Sequence, residues 1–372
     1  MIQPPHDRLH VLVATPSGEG GQGGIDRLMD SIRAELLRRN RPDLVVDFMP
    51  TRGRGHVAFS PVYLIAFCTR MIGRRLARRL DVVHLNVASR GSTYRKLAIA
   101  ALARTLGVPT VLHLHGGNYP MFWTEKRPRL SAMIRTMFAT ASAIVVLGRV
   151  WRDFIAGKVP EAAGRIVILP NATPRPTRQH TGGGDHSHIL FLGRINQAKG
   201  VPELGEALHN MLPLPGWRAT IAGDGYVEMA RERVVELGLE ARVTITGWVD
   251  ADAVAALIAE ADILVLPSHE ENLPISIIEG MASGLAIVAT PVGAIEDIVS
   301  DGETGLLVAP GDADALAAAL TRLVTDRELR QRLGNAGLAV HRARLDIEPY
   351  AERLVATWKR AASVPRSDPP QR

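Results

Sequence analysis

Cysteine is nearly absent: Cys68 is the only one in 372 residues. That excludes an intrachain disulfide and any cysteine-built zinc site, suits a reducing compartment, and leaves Cys68 to be read as a core thiol. Aromatic residues make up only 5%, few for a protein that stacks on bases, and no recognised nucleic-acid motif accompanies them, so no nucleic-acid partner is expected. No run approaches the ~20 apolar residues of a membrane span, although 46% of the chain is apolar. Residues 1–8 lead directly into the strand-like Leu9-His10-Val11-Leu12-Val13-Ala14 without a signal-peptide h-region, so the expected compartment is the cytoplasm.

Acidic residues are outnumbered, 38 against 44 basic, for a net charge of +6 and a pI near 9.8. The excess is concentrated in residues 61–80, where Arg70, Arg74, Arg75, Arg78 and Arg79 run beside an apolar stripe. Two readings stand: a cationic amphipathic helix for an anionic membrane surface, and a packed helix with a solvated arginine face.

What the chain has in quantity is alternation. Short apolar runs at 9–14, 44–49, 81–86, 109–114, 143–147 and 166–169, then at 188–193, 218–222, 242–246, 262–266, 286–289 and 306–308, are separated by helical patterns. This α/β layout predicts two Rossmann-like parallel-sheet domains. The expected boundaries are 1–175 for the first, a Pro- and Gly-rich linker over 176–188, and 189–345 for the second. An amphipathic stretch over 349–362 closes the chain, and the tail after Ala362 reads as disordered.

Chemistry concentrates at two strand ends. After Ala261-Asp262-Ile263-Leu264-Val265-Leu266 comes Pro267-Ser268-His269-Glu270-Glu271-Asn272-Leu273-Pro274-Ile275-Ser276-Ile277-Ile278-Glu279. Pro274 reads as the first helical residue, leaving the amides of Ile275, Ser276 and Ile277 to point beyond the strand, where phosphate oxygens bind. Glu271 in the loop and Glu279 in the helix would hold different parts of one ligand; a solvated loop and helix glutamate is the plainer alternative. Upstream, Ile189-Leu190-Phe191-Leu192-Gly193-Arg194 with Lys199-Gly200 puts a guanidinium fork and a mobile ammonium after another strand, a combination that suits a diphosphate.

Other features are weaker. The loop Thr15-Pro16-Ser17-Gly18-Glu19-Gly20-Gly21-Gln22-Gly23-Gly24 is too long for the dinucleotide fingerprint, and Asp47-Phe48-Met49-Pro50 leads to a basic stretch rather than a ribose-binding acid, so an oxidoreductase is disfavoured. His113 and His115 share a strand face, and only His115 reaches the strand end; His84 and Asn86 end another strand. Asp250-Ala251-Asp252 and Asp312-Ala313-Asp314 each precede an Ala-rich helix and read as helix starts rather than a metal site.

Taken together, Gly193-Arg194 with Lys199-Gly200, Ala222-Gly223-Asp224-Gly225, Gly247-Trp248-Val249 and the Glu271–Glu279 pair resemble the retaining, nucleotide-sugar-dependent glycosyltransferases of the GT-B fold, family 4. Gly23-Gly24-Ile25-Asp26 and His113-Leu114-His115-Gly116-Gly117 match more loosely. The chain departs from the family at Glu271-Asn272-Leu273-Pro274, commonly Glu-Gly-Phe-Gly, and at Asp26, where Glu is frequent.

The resemblance implies two Rossmann-like domains facing across a cleft, the closing helix returning to the first, and a nucleoside-diphosphate sugar donor with no cofactor and no metal. It implies that Arg194, Lys199 and the amides near Ser276 hold the diphosphate, with Leu273, Pro274 and Ile275 in the same turn and Gly23, Gly24 and Gly193 alongside. Glu279 would hold the ribose and Gly247 to Val249 the base, while Glu271 and His115 hold the donor sugar; Pro274 has no amide N–H to give. The acceptor would be a saccharide or a lipid-linked saccharide in envelope or exopolysaccharide synthesis. An epimerase or a phosphorylase on the same fold, and a non-catalytic sugar-nucleotide binder, are the rivals, though nothing marks a pyridoxal phosphate lysine.

Overall fold

A computed structural model describes residues 8–21, 23–182 and 184–363. The reading of residues 1–7 falls outside these, as does the tail from 364 on. The chain forms two compact units: unit 1 takes in the described residues up to Pro170 and from Ile347 on, and unit 2 is Asn171–Asp346.

Unit 1 holds β1 (Leu9–Thr15), β2 (Leu44–Pro50), β3 (Val82–Val87), β4 (Thr110–Leu114), β5 (Ala143–Val146) and β6 (Ile166–Ile168), all parallel, in the order β2-β1-β3-β4-β5-β6. Unit 2 holds β7 (Ser187–Leu192), β8 (Trp217–Ala222), β9 (Val243–Gly247), β10 (Ile263–Leu266), β11 (Ala286–Ala289) and β12 (Leu306–Leu307), again parallel, in the order β12-β11-β10-β7-β8-β9. Every strand lies within one residue of its expected place at each end. Strands such as Ile263-Leu264-Val265-Leu266 are buried along their whole length, because helical crossovers cover both faces of a parallel sheet and leave no solvent side for polar alternation.

The strand orders fix where ligands belong. In unit 1 the chain steps outward from β1 to β2 and then reverses to β3; in unit 2 it runs β7, β8, β9 and then reverses to β10. An open parallel sheet leaves a crevice outside the carboxyl ends of the two strands flanking such a reversal. The pairs are β1 with β3 and β7 with β10, and the last two carry the motifs at 193–200 and 267–279.

Two segments differ from the sequence reading. Residues 180–182, inside the expected linker, are tied down in unit 2: His180 Nε2 donates to the Ala261 carbonyl at 2.7 Å and the Thr181 amide to Ala259 at 2.8 Å. The basic helix runs Ser60–Leu76 rather than to 80, and its arginines do not form an outward face. Arg70 and Arg74 both reach Asp47 on β2, and Arg75 Nε donates to the Leu106 carbonyl at 2.9 Å. Phe67 and Met71 are buried, whereas Val62, Ile65 and Leu76 are 62%, 65% and 77% exposed. The outward stripe is therefore apolar, with Arg78 and Arg79 exposed just beyond it. Cys68 is half-buried on the same helix, and burial pushes its thiol up.

The helix Ile347–Ser363 packs into unit 1 through Tyr350, Leu354 and Trp358, all buried. The Trp358 indole donates to His84 Nδ1 at 3.0 Å. No helix among the described residues is long and apolar enough to cross a membrane.

Candidate active site

In unit 2 the loops after β7 and β10 are built against each other. Gly200 is left-handed (φ 69°), and a Cβ there would stand 2.0 Å from the Pro267 carbonyl oxygen, so any side chain would force the loops apart. The His269 amide donates to the Ala198 carbonyl at 2.9 Å, and Asn196 Oδ1 caps the short turn Gln197–Lys199 by accepting from the Lys199 amide at 3.0 Å. This framework delivers Lys199 to Glu271: the ammonium donates to the Glu271 carboxylate, which also accepts from Ser268 Oγ at 3.0 Å. Arg194, in the same loop, is exposed and has no acceptor among the described residues.

Beyond the loop, the helix is Ile275–Ala282. Pro274 is not its first residue, as the sequence suggests, but its N-cap, extended at φ −71° and ψ 131°. The amides of Ile275, Ser276 and Ile277 are nonetheless the helix's first three, which have no carbonyl within the helix to bond. The turn is held from behind, where Asn171 Nδ2 donates to the buried Leu273's carbonyl at 2.7 Å and the Ala294 amide to that of Asn272 at 2.7 Å. Glu279 lies four residues after Ile275 and so shares its face, one turn deeper.

The neighbouring loops complete this end of the sheet. A Cβ on Gly223 would lie 1.7 Å from the Gly193 carbonyl oxygen, and the Gly223 amide donates to the Gly247 carbonyl at 2.9 Å. Gly247 ends β9; Trp248 beside it is 55% exposed and Val249 half-buried. Unit 2 thus carries Gly193, Arg194, Lys199, Gly247, Val249, Glu271, Leu273, Pro274, Ile275, Ser276 and Glu279 at the carboxyl ends of three strands, β7, β9 and β10, and on the loops and the helix that follow them.

His115, Gly23 and Gly24 belong to unit 1. Gly23 is the extended N-cap of the helix Gly24–Arg38, and both glycines are exposed. Asp26 in its first turn is buried and accepts from the Ser17 amide at 3.1 Å; burial raises its carboxyl despite that bond. His115 Nε2 meets Asn86 Oδ1 at 2.8 Å, and Asn86 Nδ2 donates to the Ala14 carbonyl at 3.1 Å. That second bond turns the amide oxygen toward His115, so His115 carries a proton on Nε2. Behind it lie His113, with ring centroids 3.9 Å apart, and His84. Burial, and then the neighbouring imidazoles, hold His113 well below its usual range; burial takes His84 down to about 4. The His115 ring is a neutral hydrogen-bonding group at physiological pH, lowered by the same burial although part of its surface stays accessible.

Asp250 and Asp312 are helix N-caps, accepting from the Ala253 amide at 2.9 Å and the Ala315 amide at 2.8 Å. Sequence reasoning missed Ser268, which shares the Glu271 carboxylate, and the neighbours Arg95 and Lys96 on the helix Gly91–Thr105. Lys96 is 1% exposed. A signal was present, since Thr93, Lys96, Leu97, Ile99 and Ala103 fall on one buried helical face.

Comparison with known proteins agrees with this architecture. Residues 5–172 match the glycosyl transferase 4-like domain and residues 177–339 the glycosyl transferases group 1 family. The alpha-D-kanosaminyltransferase of Streptomyces kanamyceticus is 28% identical over 69% of this chain and 72% of its own length. Sucrose-phosphate synthase from Thermosynechococcus elongatus superposes with a TM-score of 0.76 at 18% identity, over 95% of this chain and 98% of that one. The Anabaena protein HepE in complex with UDP superposes at 0.74 and 17% identity, over 94% and 100%. With two Rossmann-like units in the order these matches require, the chain is a GT-B glycosyltransferase and belongs to the group 1, family 4-type glycosyltransferases.

Proposed function

We propose that the protein is a retaining, metal-independent glycosyltransferase that moves a hexosyl group from a nucleoside-diphosphate sugar to a saccharide or lipid-linked saccharide acceptor in envelope or exopolysaccharide synthesis. The observation that carries this reading is the meeting of the loops after β7 and β10 at the reversal of the second sheet. There an uncommitted guanidinium and an ammonium follow β7, and a helix N-terminus follows the neighbouring β10. That is a site for a doubly charged leaving group. HepE, of the same fold, binds UDP.

In this mechanism Arg194, Lys199 and the amides of Ile275 and Ser276 hold the diphosphate as negative charge develops on it, the largest expected contribution to rate. Glu279 accepts from the ribose hydroxyls. Glu271, steadied by Ser268 and Lys199, and the neutral His115 orient the donor sugar. Glu270, the other carboxylate of this loop, is exposed; we therefore take retention to proceed on one face, with the leaving phosphate oxygen accepting the acceptor hydroxyl's proton. The test is a thermal-shift panel of nucleoside-diphosphate sugars followed by turnover with the best. A ligand at a hundred times its Kd stabilises by about 2.7 kcal/mol; a panel without a stabilising sugar nucleotide would sink the proposal.

Two finer elements have their own tests. Asp250 and Asp312 spend a carboxylate oxygen on helix amides, so turnover is expected to survive a strong chelator; loss restored by manganese would refute metal independence. We also propose that the helix Ser60–Leu76 contacts anionic membrane through Val62, Ile65 and Leu76, with Arg78 and Arg79 at the headgroups. Burying such side chains contributes about 1.5–3 kcal/mol each and a basic residue about 1 kcal/mol. Co-sedimentation with anionic vesicles is therefore expected to drop sharply in Ile65→Ser with Leu76→Ser, and only partly in Arg78→Glu with Arg79→Glu. Equal sedimentation of all three proteins, or none, would leave the helix merely solvent-exposed.

A further inference from the structure

Unit 1 carries a second gathering of cations that the donor site does not use. Lys96 is 1% exposed, and its ammonium makes one hydrogen bond among the described residues, to Thr51 Oγ1 at 2.7 Å. Thr51 Oγ1 in turn donates to the Thr15 carbonyl at 3.0 Å. An ammonium has three donors, and no carboxylate among the described residues lies within ion-pair distance of this one. Asp26, the acid that Lys96 feels, is turned to the Ser17 amide. Beside Lys96, the Arg95 guanidinium has a buried Nε with no acceptor, and Arg52 repels it.

Three cations therefore face one occupied carboxylate in a partly buried place, an arrangement costly to hold without an anion. The place is the one where a ligand is expected. Thr15 ends β1, Thr51 follows β2, and Lys96 lies on the helix that follows β3, at the reversal of the first sheet.

We propose that unit 1 binds a phosphate group of the acceptor at Arg95 and Lys96, with Arg52 at the rim. The guanidinium fork and the unspent ammonium donors match the several oxygens of a phosphate, whose charge of about −1.5 to −2 offsets the local excess better than a carboxylate. The assignment to an acceptor rests on the function proposed above; anion binding by these residues does not. A lipid-linked diphosphate and a soluble sugar phosphate share this chemistry.

The probe is inorganic pyrophosphate, titrated by calorimetry into the full-length protein carrying Arg194→Ala and Lys199→Ala, which removes the donor-side cations. Binding is expected to persist there and to weaken roughly tenfold to hundredfold when either Arg95→Gln or Lys96→Met is added. Arg95 is only half-buried, so its variant keeps the test alive if the Lys96 variant does not fold. Absence of binding in the starting protein, or binding indifferent to both substitutions, overturns the proposal. Retained nucleotide binding in the starting protein would instead overturn the donor assignment and leave this one standing. A second arm compares a glycosyl 1-phosphate, a short-chain polyprenyl-diphosphate sugar and the free sugar as acceptors. Preference for the free sugar refutes the phosphate site, and the better of the other two identifies the source.

Discussion

Arg194→Ala is expected to lower turnover by roughly a hundredfold or more with little change in stability. A charge-stabilising donor at a leaving group contributes on that scale, and the side chain is exposed with no intramolecular acceptor among the described residues, so folding loses almost nothing. Lys199→Ala is expected to cost as much in turnover and also to destabilise, because it strands the Glu271 carboxylate, whose side chain is 9% exposed. Breaking a fully buried pair costs about 3–5 kcal/mol; with a quarter of the lysine side chain in solvent, on the order of 2 kcal/mol is expected. Glu271→Gln keeps a hydrogen-bonding partner for Lys199 and should recover most of the stability without the activity. Steady-state kinetics and denaturant unfolding of the three variants decide. Near wild-type kinetics in both Arg194→Ala and Lys199→Ala would mean that the diphosphate binds elsewhere.

The split between these two neighbours shows what the sequence could and could not disclose. Both cations were legible as residues after a strand, because the strand is a local pattern and the ligand crevice follows from topology. Their different states were not legible: whether a lysine is paired depends on a carboxylate 72 residues away in sequence. The same limit explains the basic helix. Five arginines beside an apolar stripe predicted a cationic outward face, yet Asp47 on β2 and the Leu106 carbonyl, neither local to the helix, draw Arg70, Arg74 and Arg75 away and leave the apolar residues outside. Pro274 was misplaced by one position because a proline at N-cap and at the first helical residue leave the same mark in a sequence. Lys96 was passed over since a lysine on a helix is ordinarily solvated, and only the phase of its neighbours argued otherwise.

That buried lysine leads to the second large effect. Burial first, and then the charge of Arg95, take Lys96 down from 10.5 to about 7, against the opposing attraction of Asp26. For a base whose folded value is depressed, the folded state bears the cost of the charge wherever both states are protonated, below about pH 7. Between about 7 and 10.5 the unfolded chain holds a proton that the folded one has released, so stability rises with pH; above that window no cost remains. Lys96→Met keeps the length of the side chain and removes the charge. It is therefore expected to be more stable than the wild type at pH 6, by on the order of several kcal/mol as an upper bound, and the difference should close as pH approaches 10.5. Urea unfolding of both proteins at pH 6, 8 and 10.5 reads this directly. The same variant is expected to lose turnover with a phosphate-bearing acceptor. A gain in stability coupled to a loss of activity is what a residue retained for its ligand produces, whereas a lysine serving only the fold would give the opposite sign: Lys96→Met less stable at every pH, with acceptor kinetics following only the fraction folded.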